Sequence, residues 1–305
     1  MGSPSVIPFT TALELLDYVS PLNPIWRKSG YIFRGQPSDG YPLTPSVCRR
    51  GAGSFAHGSP RRVFDETTSG QVLFEYEVLR RFLLGCDRAG LTLPSYNTEV
   101  KRLLSDSYYY DNYLETDKPW PPALLHEIMA VAQHYDVPTR LLDWTERSFV
   151  ACYFAASSAN FELERGDAKL AVWALDTTHS AEWKTVQVIK TPGGTSKNQA
   201  AQSGLFTTHN ITTYDIRDVY KVEALEDVEE IYAQPTQALI KMTLPISEAP
   251  ELLDLCSKLG VDGSTLFPGY QGVAKTVKDW VNIETGVRLS ESAFDEYQES
   301  YNNPD

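Results

Sequence analysis

The sequence predicts an α+β fold: a single mixed domain with small central sheets flanked by helices. Three observations lead there. Stretches with strand character and stretches with helical spacing are interspersed along the chain. The 305 residues, 42% of them hydrophobic, suffice for a sizeable core. No internal repeat, low-complexity tract or convincing domain boundary interrupts them, so residues 1–305 read as one domain.

The elements follow in order. Thr10 or Thr11 can cap a helix through ALELLDYV. YIF is a short strand ending at Arg34, and the glycine and prolines from Gln36 to Pro45 make a loop. GAGSFAHGSPRRVFDETTSG is polar and Gly/Ser-rich and reads as a mobile surface loop. In QVLFEYEVLRRFLLG, Leu73, Tyr76, Leu79 and Leu83 recur at helical spacing, with Gly85 as the expected stop. PPALLHEIMAVAQHY is a helix with Leu124, Ile128 and Val131 on one face. RSFVACYFAASS is apolar all round, hence a buried helix. KLAVWALD, SGLFTT and ALIKMTLPI are strands, and TPGGTSKNQ is a loop. SEAPELLDLCSKLG is a helix capped by Ser247 and stopped at Gly260, and VKDWVNI closes the fold as a last helix.

Net charge is −13. Such a surface repels nucleic acid, whose binding relies on Lys and Arg displacing counterions, and favours a small molecule or a protein partner. Cys48, Cys86, Cys152 and Cys256 are isolated, so neither a zinc site nor a disulfide framework is indicated. No apolar run spans a bilayer, and the N-terminus lacks a basic segment followed by an apolar one. A reducing, cytoplasmic setting without a membrane follows as the expectation.

Four stretches carry candidate chemistry. In FRGQ, Arg34 at a strand end can present its planar fork to a phosphate or carboxylate, and Gly35 permits close approach of a backbone or ligand. Gln36 closes the stretch as a candidate substrate-binding residue. The alternative is a structural arginine paired with a buried acid. AQHYDVPTRLLDWTERSFVACYFAA crowds Gln133, His134, Arg140, Asp143 and Thr145 between apolar elements, where unpaired burial is costly. An Arg140–Asp143 salt bridge is the plainer account, and Thr145 can be a helix cap. No second His or Cys stands at ligand spacing, so no metal is expected. In NQAAQSGLFTTH, Gln202 could read a neutral polar ligand or be a surface amide. STLFPGYQGVAKTVKDW places a turn before a helix whose N-terminus could hold an anion. P-loop, GxSxG, HExxH and GxGxxG motifs are absent.

FRGQ with LTPSVCRR, AQHYDVPTRLLDWT with ACYFAA, AQSGLFTTH, and TLFPGYQG together resemble the FRG domain family, in its order. The resemblance implies a core of about 31–280, a variable insertion at about 87–120 and a C-terminal tail at 285–305. Two departures stand out: Asp136 where a glycine is expected, and Tyr270 where an aspartate or leucine is usual. The order of YIFRG, LLDWT with VACYFAA, LAVWAL and AQSGLF is also similar to ADP-ribosyltransferases of the Arg-Ser-Glu type. That likeness implies an ADP-ribosyltransferase-like fold and NAD as a substrate, with no permanently bound cofactor. Arg34 and Arg140 would then clamp the diphosphate, with Gln36 beside them. Gln133, His134 and Gln202 would orient ribose and nicotinamide, and Thr145 would order the pocket. Gln202 stands where the catalytic glutamate is usual and cannot carry its charge, which leaves Asp143 or Glu146 as the acid. The resulting expectation is a transferase or NAD glycohydrolase in a toxin or antiphage defence setting. A sensor that binds a nucleotide or peptide without turnover, and a nucleic-acid-directed enzyme, are the alternatives.

Overall fold

Among the described residues, nine strands account for the sheets: β1 (Ser5–Pro8), β2 (Tyr31–Gln36), β3 (Thr116–Trp120), β4 (Leu142–Thr145), β5 (Lys169–Asp176), β6 (Val186–Ile189), β7 (Gly204–His209), β8 (Ile211–Thr213) and β9 (Leu239–Pro245). The structure is a computed structural model and describes residues 2–27, 30–49, 67–103, 112–113, 116–159, 167–192, 196–215, 218–234 and 237–302. Seven strands form one mixed sheet in the order β1-β9-β5-β2-β4-β7-β6, and β3 pairs with β8 in a separate ribbon. The β1–β9 pairing is parallel, and the other pairings described in this sheet are antiparallel. The architecture is α+β as expected, with the main sheet larger than the small ones anticipated.

The described helices are α1 (Ala12–Tyr18), α2 (Thr68–Arg88), α3 (Thr98–Leu103), α4 (His126–His134), α5 (Ser148–Ser157), α6 (Lys197–Gln202), α7 (Ala249–Lys258), α8 (Gly263–Leu266) and α9 (Tyr270–Asn302). None of them is long and apolar enough to cross a membrane. Strand alternation divides the core between the two faces of the sheet. Phe33, Val172, Ala174, Ile240 and Met242 pack under α1, α5 and α7. Ile32, Leu142, Trp144, Trp173 and Leu239 pack on the other side with Leu43, Leu225 and Ile231. A third cluster joins α2, α4 and Trp120. Each fully buried Leu, Ile or Val in these clusters contributes about 1.5–3 kcal/mol by leaving water.

Gly35 faces α5. A Cβ built there would lie 2.0 Å from the Ala151 carbonyl oxygen and 2.5 Å from the Ala155 nitrogen. Helix α5 therefore rests its backbone directly on β2, and the alanines at 151 and 155 leave room for it. The close approach anticipated at Gly35 is thus made by a helix backbone.

Several boundaries differ from expectation. Helix α2 runs through Gly85 to Arg88, because Gly90, at φ +66°, supplies the left-handed turn beyond it. A 3-10 turn, Ile246–Glu248, leads into α7, and Glu248 rather than Ser247 holds the N-cap position, with Pro250 in the first turn setting the start. Helix α9 runs on through residue 285 to Asn302. Thr11 is the α1 cap, in a capping box with Glu14. The loop expected at 51–70 falls mostly outside the described residues, as do parts of the 87–120 insertion and of TPGGTSKNQ.

Candidate functional site

Strand β2 pairs with β5 along all six of its residues, but with β4 at Phe33–Thr145 alone. Beyond that pair the two strands part, and Arg34 stands in the gap. Its Nη1 donates to the Asp143 carbonyl at 2.8 Å and lies 3.7 Å from Asp143 Oδ2. A guanidinium, rather than the neighbouring strand, satisfies that carbonyl. The gap opens into a cavity of about 920 Å³.

Seven of the eight site residues expected from the sequence line this cavity: Arg34, Gln36, Gln133, His134, Asp143, Thr145 and Gln202. Their freedom to act differs. The Arg34 side chain is 14% exposed, and its Nε is buried with no partner among the described residues. Burial lowers its pKa, Asp143 counteracts this, and the like charge of Arg49 adds to the lowering. Arg49 lines the same cavity and is anchored by its Nε to the Thr44 carbonyl at 2.9 Å. Two cations held this way favour an anion between them.

Asp143 is exposed and oriented. Gln133 Nε2 donates to its Oδ1 at 2.7 Å, while Thr139 donates to Gln133 Oε1. His134 ends α4 as an exposed ring set edge-on to Tyr135. The remaining three groups are committed to the scaffold. Gln36 accepts from Trp173 Nε1 at 2.8 Å and donates to the Pro42 carbonyl. Thr145 Oγ1 donates to the Gln202 carbonyl at 2.7 Å and accepts from the Arg147 amide at 3.0 Å, which ties β4 to α6 and to the start of α5. Gln202 Nε2 donates to the Leu266 carbonyl at 3.1 Å.

Arg140 is the exception. The proposed Arg140–Asp143 bridge is absent, and Arg140 does not line the cavity. Its side chain is buried and donates through Nε and Nη2 to Glu75 on α2. Trp120 Nε1 and Gln71 Nε2 donate to the same carboxylate. Burial opposes the Arg140 charge, but Glu75 outweighs it and holds the pKa well above its ordinary value. Arg140 is thus a core cation, because a buried carboxylate on α2 reaches it first. Asp143 takes Arg34 instead.

Arg49, Phe154 and Phe267 were not anticipated as lining residues. Arg49 lies within LTPSVCRR and Phe267 within LFPG, stretches that mark the family without naming a role. Phe154 reads only as a core residue of the apolar helix. Glu75 left a clearer trace. It sits three residues after Val72 and four before Leu79, on the buried face of α2. A carboxylate at that spacing requires a buried partner.

Fold and cleft define a mixed α+β domain whose central sheet parts around an arginine. Residues 29–163 match the family model of the FRG domain, and the chain carries an FRG domain. The match takes in β2, α4, β4 and α5, hence Arg34, Gln133, His134 and Asp143. Gln202 and Phe267, on the opposite wall, lie beyond it. No curated protein and no solved structure matches the chain.

Proposed function

We propose that the cleft holds a nucleotide of the NAD type and transfers or hydrolyses its ADP-ribose, in an effector that serves as a toxin or antiphage defence component. The observation that carries this reading is Arg34: a guanidinium planted between separated strands, its Nε unpartnered, beside the second cation Arg49. The pair suits a diphosphate. Phe154 and Phe267 supply apolar surface for a ring. Asp143, oriented by Gln133, supplies negative charge toward a ribose cation developing as the C1′–N bond to nicotinamide breaks. Nicotinamide departs neutral with the bonding electron pair. Water or an acceptor hydroxyl then adds at C1′ and gives up its proton. Gln202, its amide already bonded to Leu266, positions the wall and carries no charge in this step.

One observation favours a second reading, a sensor without turnover. Both Asp143 oxygens are engaged, one by Gln133 and one facing Arg34 at 3.7 Å. The experiment is proton NMR of NAD with purified protein. Released nicotinamide, lost in Arg34→Ala and Asp143→Asn variants that stay folded, supports the enzyme. Nucleotide-dependent thermal stabilisation with NAD left intact supports the sensor. Neither effect would overturn both readings.

A further inference from the structure

Thr139 does not line the cleft. It is buried in the connection between α4 and β4, and its backbone is clamped to the 3-10 turn Ser46–Cys48. Its carbonyl accepts from the Val47 amide and from Ser46 Oγ, each at 3.3 Å, and its own N–H donates to Ser46 Oγ at 3.2 Å. Helix α2 holds the same turn, because Gln71 Nε2 donates to the Val47 carbonyl at 3.4 Å. The Thr139 hydroxyl therefore starts from a fixed point.

That hydroxyl has a single proton to give. The Leu141 amide donates to its oxygen at 3.1 Å, and the proton goes to Gln133 Oε1. The two ends of a carboxamide are alike in shape, but one donates and the other accepts. With Oε1 taken by the hydroxyl, the NH2 end faces Asp143 and donates to Oδ1 at 2.7 Å. The reverse setting would aim Oε1 at a carboxylate oxygen, which repels it. Arg34 Nη1 stands 3.7 Å from Asp143 Oδ2, beyond hydrogen-bond length, so the setting of the carboxylate depends on the Gln133 amide.

We propose that Thr139 is a positioning residue for the cleft: its hydroxyl sets the Gln133 amide and, through it, the Asp143 carboxylate. Its effect on turnover rests on the nucleotide reading of the cleft, whereas the setting itself does not.

Two measurements on the full chain test it. The first is exchange with water of the Gln133 side-chain amide in protein labelled with 15N at glutamine, the signal being identified by its loss in Gln133→Leu. One proton should exchange slowly, because Asp143 holds it. Thr139→Val keeps the branched shape without the hydroxyl and should speed that exchange at least about tenfold, the worth of one hydrogen bond to a charged group. Thr139→Ser should keep it slow. The second is nicotinamide release from NAD. Thr139→Val should lower kcat about 10–100-fold with KM within about threefold, as for a misplaced reacting group. Thr139→Ser should restore kcat. In a Gln133→Leu background Thr139→Val should lower kcat no further, because the hydroxyl acts through that amide. Thr139→Cys, whose thiol donates weakly but can accept from Leu141, is read in the same way should the valine variant not fold. Slow exchange that survives loss of the hydroxyl, fast exchange already in the wild type, or additive losses of kcat overturn the proposal. Exchange that responds as expected in a chain that leaves NAD intact upholds the positioning and removes the turnover of NAD.

Discussion

Replacing Gly35 with alanine tests how the FRG stretch builds the cleft. The added Cβ would stand 2.0 Å from the Ala151 carbonyl oxygen and 2.5 Å from the Ala155 nitrogen. Ordinary C···O contacts begin near ~3.3 Å, so about 1.3 Å must be opened. Both obstacles are helix backbone, so no side chain can swing aside. Helix α5 must lift from β2 or the strand must buckle. Overpacking of this kind costs about 1–3 kcal/mol, and the lower entropy of alanine in the unfolded chain returns only about 0.4–1 kcal/mol. A net loss of about 1–2 kcal/mol is expected. Phe154 rides on α5 and lines the cavity, so ligand affinity should fall as well. Urea denaturation measures the first effect as a lower midpoint at unchanged slope. A variant within 0.5 kcal/mol of wild type, with the slope unchanged, would refute the claim that backbone contact at Gly35 seats α5.

Other outcomes follow from the same geometry. Glu75→Gln should cost about 3–5 kcal/mol by stranding the buried Arg140, whereas Glu75→Leu with Arg140→Met should recover most of it; denaturation midpoints decide, and a stable single variant would contradict the buried pair. Burial lowers the pKa of His126 and His209 below the ordinary 6.5, with Arg140 adding to the effect at His209. The unfolded chain therefore binds protons first as pH drops, so their contribution is intact above about pH 6.5 and is lost as pH falls through the depressed folded values. Tm should decline from pH 7.5 toward 5.5, and His126→Gln should flatten that slope. Asp143→Asn should abolish nicotinamide release while leaving nucleotide binding within about tenfold; equal activity would remove Asp143 from the chemistry.

The main elements were legible because their periodicity reports burial. Strand β5, the strand ending in Arg34 and the all-apolar helix α5 are written in alternation and composition. Even a departure in the family pattern had a physical basis. Asp136 adopts φ +61°, a left-handed turn after α4 that glycine takes without strain and aspartate tolerates. What stayed hidden depends on distant pairing. The sequence shows that Arg140 and Asp143 each need a partner, but not that α2 delivers Glu75 to one and β2 delivers Arg34 to the other. The short edge strands β1 and β6 carry too few residues for alternation to register. Convergence of Arg34, Gln133, Asp143 and Gln202 on one hollow likewise depends on how the strands part after Phe33–Thr145, which no local pattern encodes.

The most direct measurement is nicotinamide release from NAD by wild-type protein and by Arg34→Ala, followed by NMR, with the Tm of both recorded. The account expects nicotinamide to accumulate with wild type and not with a variant that melts at nearly the same temperature. NAD left intact and unbound by folded wild-type protein would contradict it.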